Sequence, residues 1–104
     1  MDATWREVAS LDDFAATDAI AVSAGGRQIA IYLVGGDTVF ATDNRCTHGD
    51  APLCDGFLEG HEIECPNHQG RFDIRTGAAT GAPASTPLAT CPVRLQGRRV
   101  LLLV

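Results

Sequence analysis

Two short runs decide how this chain is read: Cys46-Thr47-His48-Gly49 and, seventeen positions after His48, Cys65-Pro66-Asn67-His68-Gln69-Gly70. Each run pairs one thiol with one imidazole, so the chain offers two anionic sulfur ligands and two neutral nitrogen ligands. Two kinds of metal site use such a set. Zinc would gather all four donors around one tetrahedral ion, whereas a two-iron, two-sulfide centre would divide them, both thiolates on one iron and both imidazoles on the other. Zinc knuckles space their first pair by about two to four residues and place a longer gap before the last ligand. Here Thr47 stands alone between the first two ligands, which counts against zinc without removing it.

The flanks extend the pattern. Ala41-Thr42-Asp43-Asn44-Arg45 precedes the first run, Asp55-Gly56-Phe57-Leu58-Glu59-Gly60-His61-Glu62-Ile63-Glu64 leads into the second, and Arg71-Phe72-Asp73-Ile74-Arg75-Thr76-Gly77 follows it. With its paired C-x-H and C-x-x-H loops, the chain resembles the Rieske proteins over nearly its whole length. Among these it is most similar to the small ferredoxin component of bacterial aromatic-ring-hydroxylating dioxygenases of the naphthalene and salicylate type.

That resemblance implies one Rieske-type [2Fe–2S] cluster. Cys46 and Cys65 would bind one iron as thiolates, and His48 and His68 the other through Nδ1, leaving each Nε2 facing outward. It also implies an all-β Rieske fold of antiparallel sheets in a sandwich, with a loop-rich cluster-binding subdomain at about 43–82 inserted in a single domain, 1–104. The implied function is one-electron transfer from a flavin-containing ferredoxin reductase to a terminal Rieske oxygenase. On this reading the chain is a carrier and not itself an enzyme. Once the cluster ligands are assigned, no histidine–carboxylate set is left for a mononuclear iron. Two alternatives stay open: a Rieske-like small subunit of a nitrite reductase or similar complex, and a non-redox binding module stabilised by zinc.

Departures from the pattern carry information. High-potential Rieske proteins join their ligand loops by a disulfide, and the matching positions here are Ala51 and Asn67. They also supply a serine and a tyrosine hydroxyl to the cluster sulfurs where this chain has Gly70 and Phe72. Without those donors the reduced, more negative state is less stabilised, which predicts a potential in the lower part of the roughly −150 to +300 mV Rieske range.

Size and charge bound the rest. A length of 104 residues allows one domain and one modest core. No apolar run of about 18 residues is present, so no membrane span is expected. The first residues include Asp2, Arg6 and Glu7 and read as a mature cytoplasmic start. A net charge of −5 argues against nucleic acid as a partner. The charge is uneven, with residues 81–104 at +3 and the remainder acidic. A monomeric carrier is expected, with Cys54 and Cys91 as free thiols in a reducing compartment.

Along the chain, residues 4–9 read as a strand with Trp5, Val8 and Ala9 available for burial. Ser10 is placed to cap a short helical turn that ends with Phe14 at the core edge. Strands are expected at 19–24, 28–34 and 38–42, joined through Gly25-Gly26 and Gly35-Gly36-Asp37 into an antiparallel meander. Glu62–Glu64 should deliver Cys65, and Phe72 and Ile74 should alternate inward on the strand that leaves the second loop. The stretch 81–87 is too proline-rich for a strand; by resemblance it walls the cluster, with Pro83 at the matching position. Residues 89–95 and 99–104 form the last hairpin. His61 is expected in solvent. Asp50, Asp55, Glu59, Glu62 and Glu64 make an acidic face, and Gln69 and Arg71 flank the second loop as a docking rim.

Overall fold

A computed structural model describes residues 4–47, 51–67 and 69–104. The expectations for His48, Gly49, Asp50 and His68 therefore lie outside the described residues. Among the described residues, ten strands form three antiparallel sheets. They are β1 (Trp5–Ser10), β2 (Ala19–Ala24), β3 (Arg27–Val34), β4 (Thr38–Asp43), β5 (Phe57–Glu59), β6 (Glu62–Glu64), β7 (Arg71–Asp73), β8 (Ala79–Gly81), β9 (Val93–Gln96) and β10 (Arg99–Leu103). The sheets run β1-β10-β9, β2-β3-β4 and β5-β6-β7-β8.

The middle sheet, β2-β3-β4, is the expected meander, and its alternation sets the architecture. Successive side chains of a strand point to opposite faces. Ile29 and Ile31 of β3 therefore join Phe14, Val39, Ala41, Cys91, Val100 and Leu102 in one apolar cluster against the β1-β10-β9 sheet. Ala30 and Tyr32 face the other way and join Ala19, Leu53, Ile63, Phe72, Ile74, Ala84, Leu88 and both Cys46 and Cys65 in a second cluster. One sheet thus serves two cores, and Cys46 and Cys65 belong to the second. Gly25 and Gly26 close the β2–β3 hairpin with φ of 58° and 76°, the left-handed pair that a two-residue turn of this twist requires.

The capped turn forms as expected over Leu11–Phe14. Ser10 Oγ accepts from the Asp12 N–H at 3.2 Å and the Asp13 carboxylate accepts from the Ser10 N–H at 2.9 Å. Phe14 is buried.

Two expectations need correction. Trp5 is not buried; 36% of it is exposed, and the Arg94 guanidinium stacks 4.2 Å from its ring centroid. β1 covers the core with one face, and a register shift between Glu7 and Ala9 lets Val8 and Ala9 both lean on that core, leaving Trp5 outside. The strand expected at 89–95 is divided. Cys91 N–H donates to the Ala41 carbonyl at 3.0 Å and Asp43 N–H to the Ala89 carbonyl at 2.9 Å, so 89–91 runs along β4. Pro92, which has no N–H, marks the crossing, and β9 then pairs with β10. Beyond those expectations, β5 and β8 are strands of three residues each, which no periodicity reveals.

Candidate metal centre

The first ligand loop leaves the end of β4 through Asn44, which is nearly buried. Its N–H donates to the Gln28 carbonyl at 2.9 Å, its carbonyl accepts from Leu53 N–H at 2.7 Å, and its side-chain Oδ1 accepts from Cys54 N–H at 2.9 Å. One side chain and one peptide therefore clamp both ends of the loop to the middle sheet. The second ligand loop is the connection of the β6–β7 hairpin, so a three-residue strand delivers Cys65 and another carries the chain away.

The two loops close in the same way. Cys46 N–H donates to the Ala51 carbonyl at 2.9 Å, and Cys65 N–H donates to the Gly70 carbonyl at 2.7 Å. In each, the thiol residue's own amide reaches the carbonyl five positions on. Gln69 holds the second loop tight with φ of 64°, a left-handed conformation that a non-glycine residue adopts at a cost.

This closure turns the sulfurs inward and the loop tips outward. Cys46 and Cys65 are each 1% exposed, whereas Thr47, Pro66, Asn67 and Gln69 are exposed. Both thiols are free, and burial followed by the adjacent Cys46 thiol pushes the Cys65 thiol up. Two unoxidised thiols side by side in an apolar pocket fit one thiophilic metal that takes both as thiolates, and binding would release their protons. That donor chemistry suits the sulfur half of a [2Fe–2S] cluster; His48 and His68 would have to supply the nitrogen half.

A third segment, 81–87, lies against both loops. The Thr47 hydroxyl donates to the Thr86 carbonyl at 2.6 Å. A Cβ at Gly70 would stand 2.9 Å from the Ala84 Cβ, so glycine there is what allows the segment its close approach. Pro83 is exposed, and Ala84 is the residue buried beside the two cysteines. Ala84, next to Pro83, is thus the residue of this segment that packs on the two cysteines.

Other site expectations divide. Phe72 is fully buried in the cysteine cluster and brings no hydroxyl. Arg71 is not a free rim residue: its guanidinium meets Glu64 at 3.0 Å, Glu62 at 3.4 Å and Glu59 at 3.7 Å. Much of the acidic face is thereby engaged internally. His61 is half-buried, its ring edge-on to Phe40 with centroids 5.7 Å apart. Cys54 and Cys91 are free thiols in different clusters, and burial pushes both up. Sequence reasoning assigned no role to Asn44 or Ala84. An Asn between a strand and a ligand loop is a usable signal, because its short amide bonds nearby backbone. Ala84 has none.

Comparison with known proteins places the chain. Residues 4–92 match the model of the Rieske [2Fe-2S] domain, and the chain belongs to that family. The cofactor of this family is a [2Fe–2S] cluster.

Within it, the chain is 49% identical to the ferredoxin component of the naphthalene 1,2-dioxygenase/salicylate 5-hydroxylase systems of Ralstonia sp, covering 98% of this chain and 97% of that one. Among solved structures, the ferredoxin of carbazole 1,9a-dioxygenase from Nocardioides aromaticivorans IC177 superposes with a TM-score of 0.89 at 35% identity, covering 96% of this chain and 97% of that chain. A ferredoxin from a complex of reduced oxygenase and oxidized ferredoxin in carbazole 1,9a-dioxygenase matches at a TM-score of 0.85 and 34% identity, covering 95% of this chain and 92% of that one.

Proposed function

We propose that this chain is the ferredoxin of an aromatic-ring-hydroxylating oxygenase system, taking one electron at a time from a flavin-containing reductase and delivering it to a terminal Rieske oxygenase. The observation that carries this reading is the matched pair of loops: two buried free thiols side by side, held by identical backbone closures, with exposed tips. Near-full-length identity to a ferredoxin component supports it.

Cys46, His48, Cys65 and His68 are the proposed ligands, and the cluster they hold supplies reversible one-electron chemistry. Residues 43–82 are the proposed cluster-binding subdomain, inserted in a single domain spanning 1–104. The protein's own residues do the rest. Ala51, Leu53, Ile63, Phe72, Ala84 and Leu88 exclude water from the sulfur side, and the exposed Thr47, Pro66, Asn67 and Gln69 leave the loops within reach of a docked partner.

We assign the chain no catalytic step and no substrate site. We further propose that it works as a monomer in the cytoplasm; among the described residues no helix is long and apolar enough to cross a membrane. The deciding experiment mixes the reduced protein with a terminal aromatic-ring oxygenase and follows the ferredoxin's visible absorbance by stopped flow. Stoichiometric one-electron oxidation supports the carrier. No transfer to any such oxygenase, together with co-purification of a large reductase subunit, would defeat it.

A further inference from the structure

Segment 81–87 covers the sulfur ligands, yet little in its own sequence holds it down. Its ends are fixed: Gly81 closes β8, and the Leu88 N–H donates to the Gly77 carbonyl at 2.8 Å. Between them the Ala84 N–H reaches the Gly81 carbonyl at 3.1 Å, turning Ala84 into the cluster that contains Cys46 and Cys65. Ala82, Pro83, Ser85, Thr86 and Pro87 remain exposed, and the two prolines have no N–H to donate. All four cysteines are free, so no disulfide ties this segment to a ligand loop.

Among the described residues, two contacts make the connection instead. Ala84 rests on Gly70 of the second loop, and Thr47 of the first loop donates its hydroxyl to the Thr86 carbonyl. The first is a packing contact with no preferred direction. The second is directional, spans 39 positions of sequence, and originates between the proposed ligands Cys46 and His48.

We infer that Thr47 is a positioning residue of the metal centre: its hydroxyl latches segment 81–87 over the sulfur side and so sets how fast water and chelators reach the metal. The inference rests on the reading of Cys46 and Cys65 as iron ligands. Both partners of the latch are exposed. Removing the hydroxyl therefore leaves a carbonyl that water can satisfy, and the fold survives the change.

The test compares wild-type holoprotein with Thr47→Val, which keeps the shape without the donor, and Thr47→Ser, which keeps the donor. Iron and sulfide content and far-UV circular dichroism establish that each is folded and loaded. Two rates are then read: bleaching of the visible absorbance in excess EDTA, and amide exchange at Ala84 and Leu88. Losing one exposed hydrogen bond should raise the open population about three- to tenfold. Thr47→Val should bleach and exchange faster by about that factor, with Thr47→Ser close to wild type. Wild-type rates in Thr47→Val, or equal acceleration in Thr47→Ser, would overturn the latch. Should the wild type prove free of iron, the ligand reading fails, while the exchange rates at Ala84 and Leu88 still decide the latch by the same criteria.

Discussion

Between β1-β10-β9 and β2-β3-β4 the filling is hydrocarbon and one thiol: Phe14, Ile29, Ile31, Val39, Ala41, Cys91, Val100 and Leu102. The strands around it run from four to eight residues. On the opposite face of β2-β3-β4 each strand of the outer sheet has three residues, and the filling includes the proposed ligands Cys46 and Cys65. Burial of apolar area near 25 cal/mol per Å² can hold the first region together. The second has short ladders and buries two polarisable thiols, so the proposed function implies that a bound metal supplies part of its stability. On that proposal the molecule is a self-sufficient base carrying an end that metal completes.

The largest expected effect tests that division. Cys46→Ser or Cys65→Ser should abolish visible absorbance and collapse amide protection across β5–β8, while the amides of Ile29–Tyr32 in β3 stay protected. Equal loss of protection in β3 would mean one cooperative unit and would break the comparison.

Next in size is Leu102→Ala. Leu102 is fully buried in the base, and truncation should cost about 2–5 kcal/mol in chemical denaturation. The iron-to-protein ratio of the native fraction should not change. A drop in that ratio would show that the metal end depends on the base core more directly than its packing indicates.

Tyr32 lies on the shared sheet and tests the boundary. It is fully buried with its hydroxyl 2.9 Å from the Thr42 hydroxyl, and burial holds its phenol well above the ordinary range. The unfolded phenol ionises near pH 10 while the folded one keeps its proton. Above about pH 10 the unfolded state binds fewer protons, so this contribution is intact below that pH and declines as pH rises. Tyr32→Phe should cost about 1 kcal/mol at neutral pH and flatten that alkaline decline. An unchanged alkaline slope would contradict the burial account.

Much of this was legible from residue order. The family, the meander of β2 to β4 and the Ser10 cap follow from motif spacing, alternation and local hydrogen bonding. What escaped was tertiary. Three-residue strands such as β5 and β8 carry no period, and the bulge that puts Trp5 outside depends on pairing with β10. Residues 89–91 pair with β4 rather than β10, a choice their own sequence does not encode. The matched closures of the ligand loops and the burial of Ala84 depend on backbone geometry that small residues do not announce.

A sharper probe of the metal end concerns the potential. Adding hydroxyls through Gly70→Ser and Phe72→Tyr should raise it by supplying donors to sulfur. A Cβ at position 70 would crowd Ala84, so Ala84→Gly belongs in the same variant. No rise in a loaded, folded triple variant, measured by voltammetry, would remove hydroxyl donation as the explanation.

The central claim is uneven ligation, sulfur at one iron and nitrogen at the other. Electron–nuclear double resonance on the reduced protein addresses it directly. The account predicts coupling to two histidine nitrogens at a centre with two irons and two acid-labile sulfides per chain. Four-sulfur ligation without nitrogen coupling, or a single zinc with no sulfide, would contradict it.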